Sequence, residues 1–336
     1  MKKTTKIWLI AAASFLTIGC VLFAGVLAAT GWNIQKLSTV QTETRLVEVG
    51  EPFRDISLST GTADIAFVRS ADGLCRVECE EAEHEEYAIA VEEEALVIRL
   101  VDTRSWTDRI GFRLGSPKIT VYLPKAEYRA LTIRESTGAI DIPADFAFER
   151  ADLTLTTGAV RFSAAAAQSL RIQASTGDIR VENASVGALE LSATTGRIAV
   201  SDVACAGEAS VEVSTGRAEL RDLSCQSLFS NGTTGDLALD HVVAAETFSI
   251  ERSTGNVEFH RCDAAELFVK TSTGHVTGSL LTGKVFLTDT RTGSVEVPKT
   301  AAGGKCEVRT VTGDIRITTG ECPSGSVADK ELLCFP

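Results

Sequence analysis

Aromatic residues are scarce in this chain: they make up 6% of its 336 residues, with three tryptophans and three tyrosines. A core must therefore be built mostly from valine, isoleucine, leucine and alanine, and a hydrophobic fraction of 44% is enough to build one. Basic residues are outnumbered as well. The net charge of −12 becomes −15 once the first 32 residues, with three lysines and no acid, are set aside. This charge argues against nucleic acid and against a polybasic contact with anionic lipid, since both need basic patches.

The sequence also lacks the motifs that are typical of metal-binding and cofactor-binding sites. No Cys-x-x-Cys is present, and the four histidines do not stand near cysteines or acids at ligand spacing in the sequence. These histidines are His84, His241, His260 and His275. The sequence therefore predicts no metal, no cofactor and no catalytic residue.

The N-terminus carries the one long hydrophobic run. Residues Ile7–Ala29 are uncharged and apolar, and as a helix they would extend roughly 34 Å, enough to cross a bilayer. Trp8 and Trp32 flank the run, and lysines precede it. By the positive-inside rule we expect a cytoplasmic N-terminus, one membrane-spanning helix and an extracytoplasmic remainder, which places the protein in the cell membrane.

Two alternatives exist for this run. A cleaved signal peptide would have an apolar region of about 7–15 residues, shorter than the run seen here. A lipoprotein signal ending at Cys20 would be followed by polar sequence, whereas apolar residues continue to Ala29. Both alternatives are less favoured than a retained anchor.

A Thr-Gly dipeptide recurs every 19 or 20 residues through the second part of the chain. This regularity predicts a repeat architecture in which each coil stacks on the next. The ten pairs, each expected to form a tight turn, are Thr137-Gly138, Thr157-Gly158, Thr176-Gly177, Thr195-Gly196, Thr215-Gly216, Thr234-Gly235, Thr254-Gly255, Thr273-Gly274, Thr292-Gly293 and Thr312-Gly313.

Apolar residues within each repeat alternate with polar ones, which is typical of half-buried strands. Counted from the turn glycine, position +2 is apolar in every coil, as in Ile179, and position +4 is apolar in nine coils, with Gly278 as the exception. Positions −7 and −5, and then +7 and +9, give two further inward pairs. Three inward pairs in 19–20 residues predict an all-β solenoid of about ten three-sided coils, roughly 48 Å long at about 4.8 Å per coil.

Composition and pattern divide the chain into five segments. Residues 1–32 are the anchor, 33–43 a linker, 44–130 an N-terminal β cap, 131–319 the solenoid and 320–336 a tail. The cap contains an altered turn at Thr60-Gly61, after which Ile65 and Phe67 stand at +4 and +6 as if two residues were inserted.

Several smaller features leave alternatives open. The stacked threonines predict a hydroxyl ladder at a corner, with an ice- or glycan-binding face as the alternative. Cys205 and Cys225 occupy equivalent inward positions and are either small apolar side chains or a disulfide; Cys322 and Cys334 could close a tail loop. An acidic cluster at residues 78–94 is either a solvated face or a weak cation site.

Residues 102–117 form the longest irregular stretch between predicted strands. They either plug the open end of the solenoid or form a contact loop for a partner or the membrane surface, since aromatic residues and arginine are typical of binding hot spots. The residues of this loop are Arg104, Trp106, Arg109, Ile110, Phe112 and Arg113.

The stretch Ile119-Thr-Val-Tyr-Leu-Pro-Lys-Ala, followed by Ser-Thr-Gly-(Asp or Ala)-(Ile or Val) units, resembles the bacterial putative-adhesin family of β-strand-repeat cell-envelope proteins. Thr62-Ala-Asp-Ile-Ala-Phe is similar to that family's opening strand, and the resemblance covers roughly residues 45–318. It implies a solenoid at the cell surface without catalytic residues. The tail has no Leu-Pro-x-Thr-Gly signal, so attachment would depend on the N-terminal helix.

These patterns predict a protein that is not an enzyme. Coil length varies by one residue, so no loop is long enough to build a catalytic cleft, and a polysaccharide-cleaving β-helix is the least favoured function. A surface scaffold or adhesion module is expected, bound to an envelope protein or a surface glycan. The alternative is an accessory or sensory envelope protein that makes contact through its cap.

Overall fold

The computed structural model of the chain describes residues 3–29, 31, 42–82, 85–103 and 115–320. One helix, α1, spans Lys3–Ala29. Within it, Ala12–Ala29 has a mean hydropathy of 2.2 over 18 residues, which is long and apolar enough to cross a membrane. All other regular structure in the described ranges is β-strand.

Within the described residues, twenty-one strands form one continuous sheet that winds into a solenoid. The first seven, which we call the cap, are β1 Thr42–Val49, β2 Asp55–Ser59, β3 Asp64–Arg69, β4 Cys75–Ala82, β5 Glu85–Glu92, β6 Ala95–Asp102 and β7 Lys118–Leu123. The repeat strands are β8 Glu127–Ile142, β9 Ala147–Phe162, β10 Ala165–Val186, β11 Leu189–Cys205, β12 Glu208–Thr234, β13 Leu237–Asp240, β14 Val243–Thr254, β15 Val257–Cys262, β16 Glu266–Thr273, β17 Val276–Leu280, β18 Lys284–Thr292, β19 Val295–Glu296, β20 Gly304–Thr312 and β21 Ile315–Thr319.

Equivalent residues of successive coils lie side by side in parallel register. Between β10 and β11, for example, Gly177 pairs with Gly196 and Ile179 pairs with Ile198. After 19–20 residues the chain therefore reaches the equivalent position in the next coil, and backbone hydrogen bonds join the two coils. The predicted all-β solenoid is confirmed.

The core is a set of stacked apolar columns, because each inward position repeats in every coil. Ile179, Val181, Leu170 and Ile172 are fully buried, and so are their equivalents in the neighbouring coils. Position −3 is a further inward column that the sequence pattern did not reveal. Its residues are Glu135, Leu155, Ala174, Ala193, Val213, Gly232, Arg252, Thr271, Thr290 and Thr310.

The turn glycines are required by two features of the backbone. All ten have φ between 127° and 157°, a region that side chains with a Cβ rarely adopt. In addition, a Cβ on Gly177 would lie 1.6 Å from the carbonyl oxygen of Gly158 in the adjacent coil. At these ten turns the coils can therefore stack only if the turn residue is glycine, because a Cβ would clash with the backbone of the adjacent coil.

A second corner of the coil also has positive φ, but it uses residues other than glycine. At position +6 the φ values are between 49° and 55°. This second corner is formed in successive coils by Asn183, Asp202, Asp222, His241 and Arg261. Asparagine and aspartate tolerate this region best, whereas histidine and arginine are less usual there.

The cap ends the stack with antiparallel strands. β4 runs antiparallel to β7, β1 runs antiparallel to β4, and β5 runs antiparallel to β6. The coil formed by β2 and β3 lies between the β6–β7 coil and β8, so the first coil in the chain is not the outermost in space. The order of coils thus differs from the order of the sequence.

The register of the first coil corrects one prediction. Thr62 bridges to Thr137, Ile65 pairs with Ile140, and Gly138 packs on Ala63. The turn equivalent to Thr137-Gly138 is therefore Thr62-Ala63 rather than Thr60-Gly61, and no residues are inserted after it. On its other side this first coil pairs with β6 and β7.

The C-terminal end also departs from sequence order. β20 lies between β16 and β18, and β21 lies between β17 and β19. Gly313 accordingly stacks on Gly274, and Gly293 stacks on Gly313. The coil of residues 284–296 is therefore the outermost one, and Leu287 and Val295 on it are exposed.

Candidate binding surface

A ridge of hydroxyl groups runs along the Thr-Gly corner. The ten turn threonines are all exposed, and the residue before each is serine or threonine in eight coils; the exceptions are Arg291 and Val311. We call these eighteen residues the hydroxyl ridge. They are Ser136, Thr137, Thr156, Thr157, Ser175, Thr176, Thr194, Thr195, Ser214, Thr215, Thr233, Thr234, Ser253, Thr254, Ser272, Thr273, Thr292 and Thr312.

The hydroxyls of the turn threonines have no hydrogen-bond partner among the described residues. The predicted ladder of threonine–threonine hydrogen bonds is therefore not seen in the described part of the chain. The inward threonines at position −3 behave differently: Thr271, Thr290 and Thr310 donate to glycine carbonyls of a neighbouring coil at 3.0–3.5 Å. The inward threonines thus form hydrogen bonds between coils, whereas the ridge threonines face solvent.

Two shallow depressions lie on the flat sides of the coils, one on the side before the Thr-Gly corner and one on the side after it. The first has a volume of about 710 Å³ and is lined by side chains that include Arg150, Asp152, Arg171 and Glu190. Arg171 and Glu190 form an ion pair at 3.4 Å. Because the lining residues come from successive coils, this surface is an open groove along the solenoid rather than a closed cleft.

The second depression, of about 300 Å³, lies after the ridge and carries shared ion pairs. Arg197 and Arg217 both contact one oxygen of Glu219, at 3.2 and 3.3 Å. Arg161 and Arg180 share Glu182 through its two different oxygens, Oε2 at 4.0 Å and Oε1 at 3.5 Å. Two guanidinium groups to one carboxylate leave N–H donors free to bind a polar ligand.

Two charged groups are buried without full compensation. Glu135 accepts hydrogen bonds at Oε1 from the amides of Ala63 and Thr137, but Oε2 has no partner. Burial raises its pKa from 4.5 to about 7. Arg252 is 3% exposed; it donates to Ser230 Oγ at 2.8 Å, while Nε and Nη1 are unpaired, and burial lowers its pKa to about 10.

The Arg252 guanidinium occupies space that a side chain at position 232 would fill. A Cβ on Gly232 would lie 1.7 Å from Arg252 Nη1, so glycine and arginine are complementary in neighbouring coils. A third buried charge, Lys284, is fully paired: its Nζ lies 2.7 Å from Asp263 Oδ1 and donates to the carbonyl of Ala264. Arg252 lines a further depression of about 330 Å³ together with four ridge residues, which are Ser214, Thr233, Ser253 and Ser272.

The histidines correct a second prediction. His241 and His260 both contact Asp240, and the three residues form one cluster on the second corner. His275 Nδ1 accepts a hydrogen bond from the backbone amide of Asp314 at 3.0 Å and lies 3.7 Å from the carboxylate of that residue. The sequence signal was present: His241 and His260 are 19 residues apart, which is one coil, and Asp240 and His260 are 20 apart. His84 lies outside the described residues.

Some of the remaining predicted features lie within the described residues and others do not. Cys205 and Cys225 are buried free thiols, and burial raises the pKa of Cys225 to about 12. In the acidic cluster, Glu81 pairs with Arg45 at 2.8 Å and Glu78 accepts from Tyr122. The entire contact loop lies outside the described residues, and so do both tail cysteines.

The geometry defines a class: a parallel β-solenoid with an antiparallel cap. Residues 53–318 match the Toastrack DUF4097 family, and the chain belongs to that family. The match confirms the resemblance of this region to β-strand-repeat envelope proteins of adhesin type. No curated protein matches the chain.

Solved structures give weaker likenesses. A putative lipid binding protein from Parabacteroides distasonis has a TM-score of 0.46 and 14% identity, over 84% of this chain and 98% of that one. A putative adhesin from Parabacteroides merdae has a TM-score of 0.39 and 11% identity, over 84% and 98%. At these values neither protein indicates a ligand for this chain.

Proposed function

We propose that this protein is a non-enzymatic, membrane-anchored binding module that contacts surface glycans along the hydroxyl ridge. The observation that carries the proposal is the solvent-facing column of ten turn threonines without protein partners. At a spacing of about 4.8 Å per coil, the ridge offers a regular row of donors and acceptors. A polymer of repeating sugar units matches such a row better than a small molecule does.

The depressions on the coil sides before and after the Thr-Gly corner support the same ligand class. Their guanidinium and carboxylate groups sit in shared ion pairs, so the surface is polar and contains both signs of charge. Neutral or mixed-charge sugars suit it better than a polyanion. The strands that hold these groups are hydrogen-bonded on both sides, so the surface is held in place before any ligand binds.

Binding of the full chain in nanodiscs to a panel of immobilised polysaccharides tests this function. The variant carries Thr157→Val, Thr176→Val, Thr195→Val and Thr215→Val together, which removes hydroxyls but keeps the branched shape. The control carries Thr154→Val and Thr277→Val, which lie outside the ridge. We expect the first variant to lose polysaccharide retention and the control to keep it. Equal retention by both would exclude the ridge.

Anchoring through α1 is the second part of the proposal. The helix is long and apolar enough to span a bilayer, and it precedes the whole solenoid. We expect the protein to stay in the membrane fraction after a high-salt wash and to be released only by detergent. Recovery of a soluble form that begins near residue 30 would indicate cleavage instead.

A contact through the cap is the alternative function. Strand β1 pairs with β4 on one edge, and its other edge pairs with no described strand, which leaves backbone groups and the exposed Leu46 available. The predicted contact loop of residues 102–117 is the second part of this alternative. Trp106→Ala separates its two roles: a plug should lower the melting temperature, whereas a contact loop should keep it and lose a crosslinked envelope partner.

A further inference from the structure

The second corner brings three metal-binding side chains together from two adjacent coils. Asp240 ends β13, His241 follows it, and His260 lies on β15 in register with Asp240. The positive φ of His241, 54°, turns the backbone so that its imidazole returns toward the carboxylate of Asp240. The solenoid thus gives two histidines and one aspartate a common centre.

The distances converge on one carboxylate oxygen. Asp240 Oδ1 lies 2.5 Å from His260 Nδ1 and 3.0 Å from His241 Nδ1. The two imidazole rings meet edge to face with centroids 5.4 Å apart. One ligand atom from each residue lies within 4.8 Å of the other two. A fourth donor, Asp222 Oδ1 in the preceding coil, lies 3.9 Å from His241 Nδ1.

These separations are close to what a bound ion needs. Zinc–nitrogen and zinc–oxygen bonds are about 2.0–2.2 Å, which places neighbouring tetrahedral ligands about 3.3 Å apart. Relative to that separation, the contact between His241 Nδ1 and Asp240 Oδ1 at 3.0 Å is about 0.3 Å short, and the contact between His260 Nδ1 and the same oxygen at 2.5 Å is about 0.8 Å short. The side chains of His260, His241 and Asp240 are 60%, 38% and 35% exposed, so they have room to open by these amounts.

The charges around the cluster permit a cation. Asp240 and Asp222 supply two carboxylates. Arg221 opposes them, since its Nε is 3.4 Å from Asp240 Oδ2, but its side chain is 68% exposed and can leave. Oδ1, the oxygen that faces both imidazoles, is not the one that Arg221 contacts.

We propose that Asp240, His241 and His260 bind one divalent transition-metal ion of the zinc type, with Asp222 or water completing its coordination. Imidazole nitrogen favours zinc, copper and nickel, whereas calcium and magnesium prefer all-oxygen sites. The ion would add a metal link between coils that are already joined by backbone hydrogen bonds, packing and side-chain ion pairs. With three protein ligands it would also keep a position open for an outside donor.

Metal binding by the full chain in detergent micelles tests the proposal, after removal of metals with a chelator. Titration calorimetry with zinc should give one site per chain, and cobalt in its place should give a visible absorption band. His241→Ala and His260→Ala should each weaken zinc at least about tenfold. His275→Ala is the matched control, because that histidine has a carboxylate neighbour but no second histidine.

Two further measurements make the result decisive. Zinc should raise the melting temperature of the wild-type chain and of His275→Ala, but not that of His260→Ala. Millimolar magnesium or calcium should not compete. Absence of zinc binding in the wild-type chain would overturn the proposal. So would zinc binding that is equal in the wild type and the two cluster variants, because the ion would then lie elsewhere, for example at thiols.

Discussion

The two halves of the solenoid bury different kinds of side chain on the same backbone. From residue 140 to 229 every buried side chain is apolar, whereas from 230 to 310 the core also contains buried polar and charged groups. These are Ser230, Arg252, Thr271, Lys284 and Thr310. The difference shows that coil stacking depends on backbone hydrogen bonds and the turn glycine, while the inward columns accept a polar group where a partner or space is available.

The largest expected effect breaks the backbone requirement that both halves share. Gly177→Ala would place a Cβ 1.6 Å from the Gly158 carbonyl oxygen at a φ of 141°. We expect a loss of more than about 4 kcal/mol or failure to fold, measured by thermal unfolding followed by circular dichroism. Gly61→Ala is the control, since its Cβ would meet only Leu100 Cδ2 at 3.6 Å. Similar losses for both would show that the corner does not need glycine.

The second effect tests the apolar half directly. Ile179 is fully buried and Arg180 beside it is exposed. Ile179→Asp buries a charge without a partner and should destabilise by several kcal/mol, on the order of 4, whereas Arg180→Asp should stay within about 1 kcal/mol. Denaturant unfolding of the purified chain measures both. Equal effects would contradict the assigned facing of β10.

The third effect is a pH dependence at the cap boundary. The folded pKa of Glu135, about 7, lies above its ordinary value of 4.5, so the folded chain holds this proton more strongly than the unfolded chain does. Stability from this group is therefore complete below about pH 4.5 and is lost as pH rises through 7, by on the order of 3 kcal/mol. Glu135→Gln should remove this slope from plots of melting temperature against pH. A slope that Glu135→Gln leaves unchanged would assign it to other groups.

The smallest expected effect concerns Arg252, a buried charge in the half of the solenoid whose core contains polar groups. Arg252 is buried with two unpaired nitrogens, which costs stability, while its bulk fills the space next to Gly232. Arg252→Met keeps most of the bulk and removes the charge, so we expect no loss or a gain of about 1 kcal/mol. Arg252→Ala should lose stability through the cavity instead. If both variants were strongly destabilising, the charge itself would be needed.

The repeat could be predicted from the sequence because the glycine spacing and the period-two pattern report the same geometry. Position −3 could not, because its residues run from glutamate through alanine to arginine and threonine, with no common chemistry. The order of the coils at the two ends could not be predicted either. Every coil offers the same backbone donors and acceptors, so the local sequence of one coil does not determine which coil stacks on it.

The candidate sites, too, could be predicted from the sequence only in part. The ridge threonines were visible as a motif, although whether their hydroxyls pair with one another depended on coordinates. Asp240, His241 and His260 were visible only at the spacing of one coil, which is not a spacing used by known short metal motifs. Side chains one coil apart should therefore be treated as neighbours when sequences of this type are read.

The exchanged order of the last two coils has a mechanical consequence. The C-terminal strands β20 and β21 are hydrogen-bonded on both sides, to β16 and β18 and to β17 and β19. A force applied at the C-terminus cannot peel away a free outer strand, because it must pull an inner strand out from between two others and break both rows of hydrogen bonds. Tension between the N-terminal and C-terminal ends of the solenoid would therefore have to break two rows of hydrogen bonds at β20 and β21, where a solenoid with a free outer strand would begin to unravel.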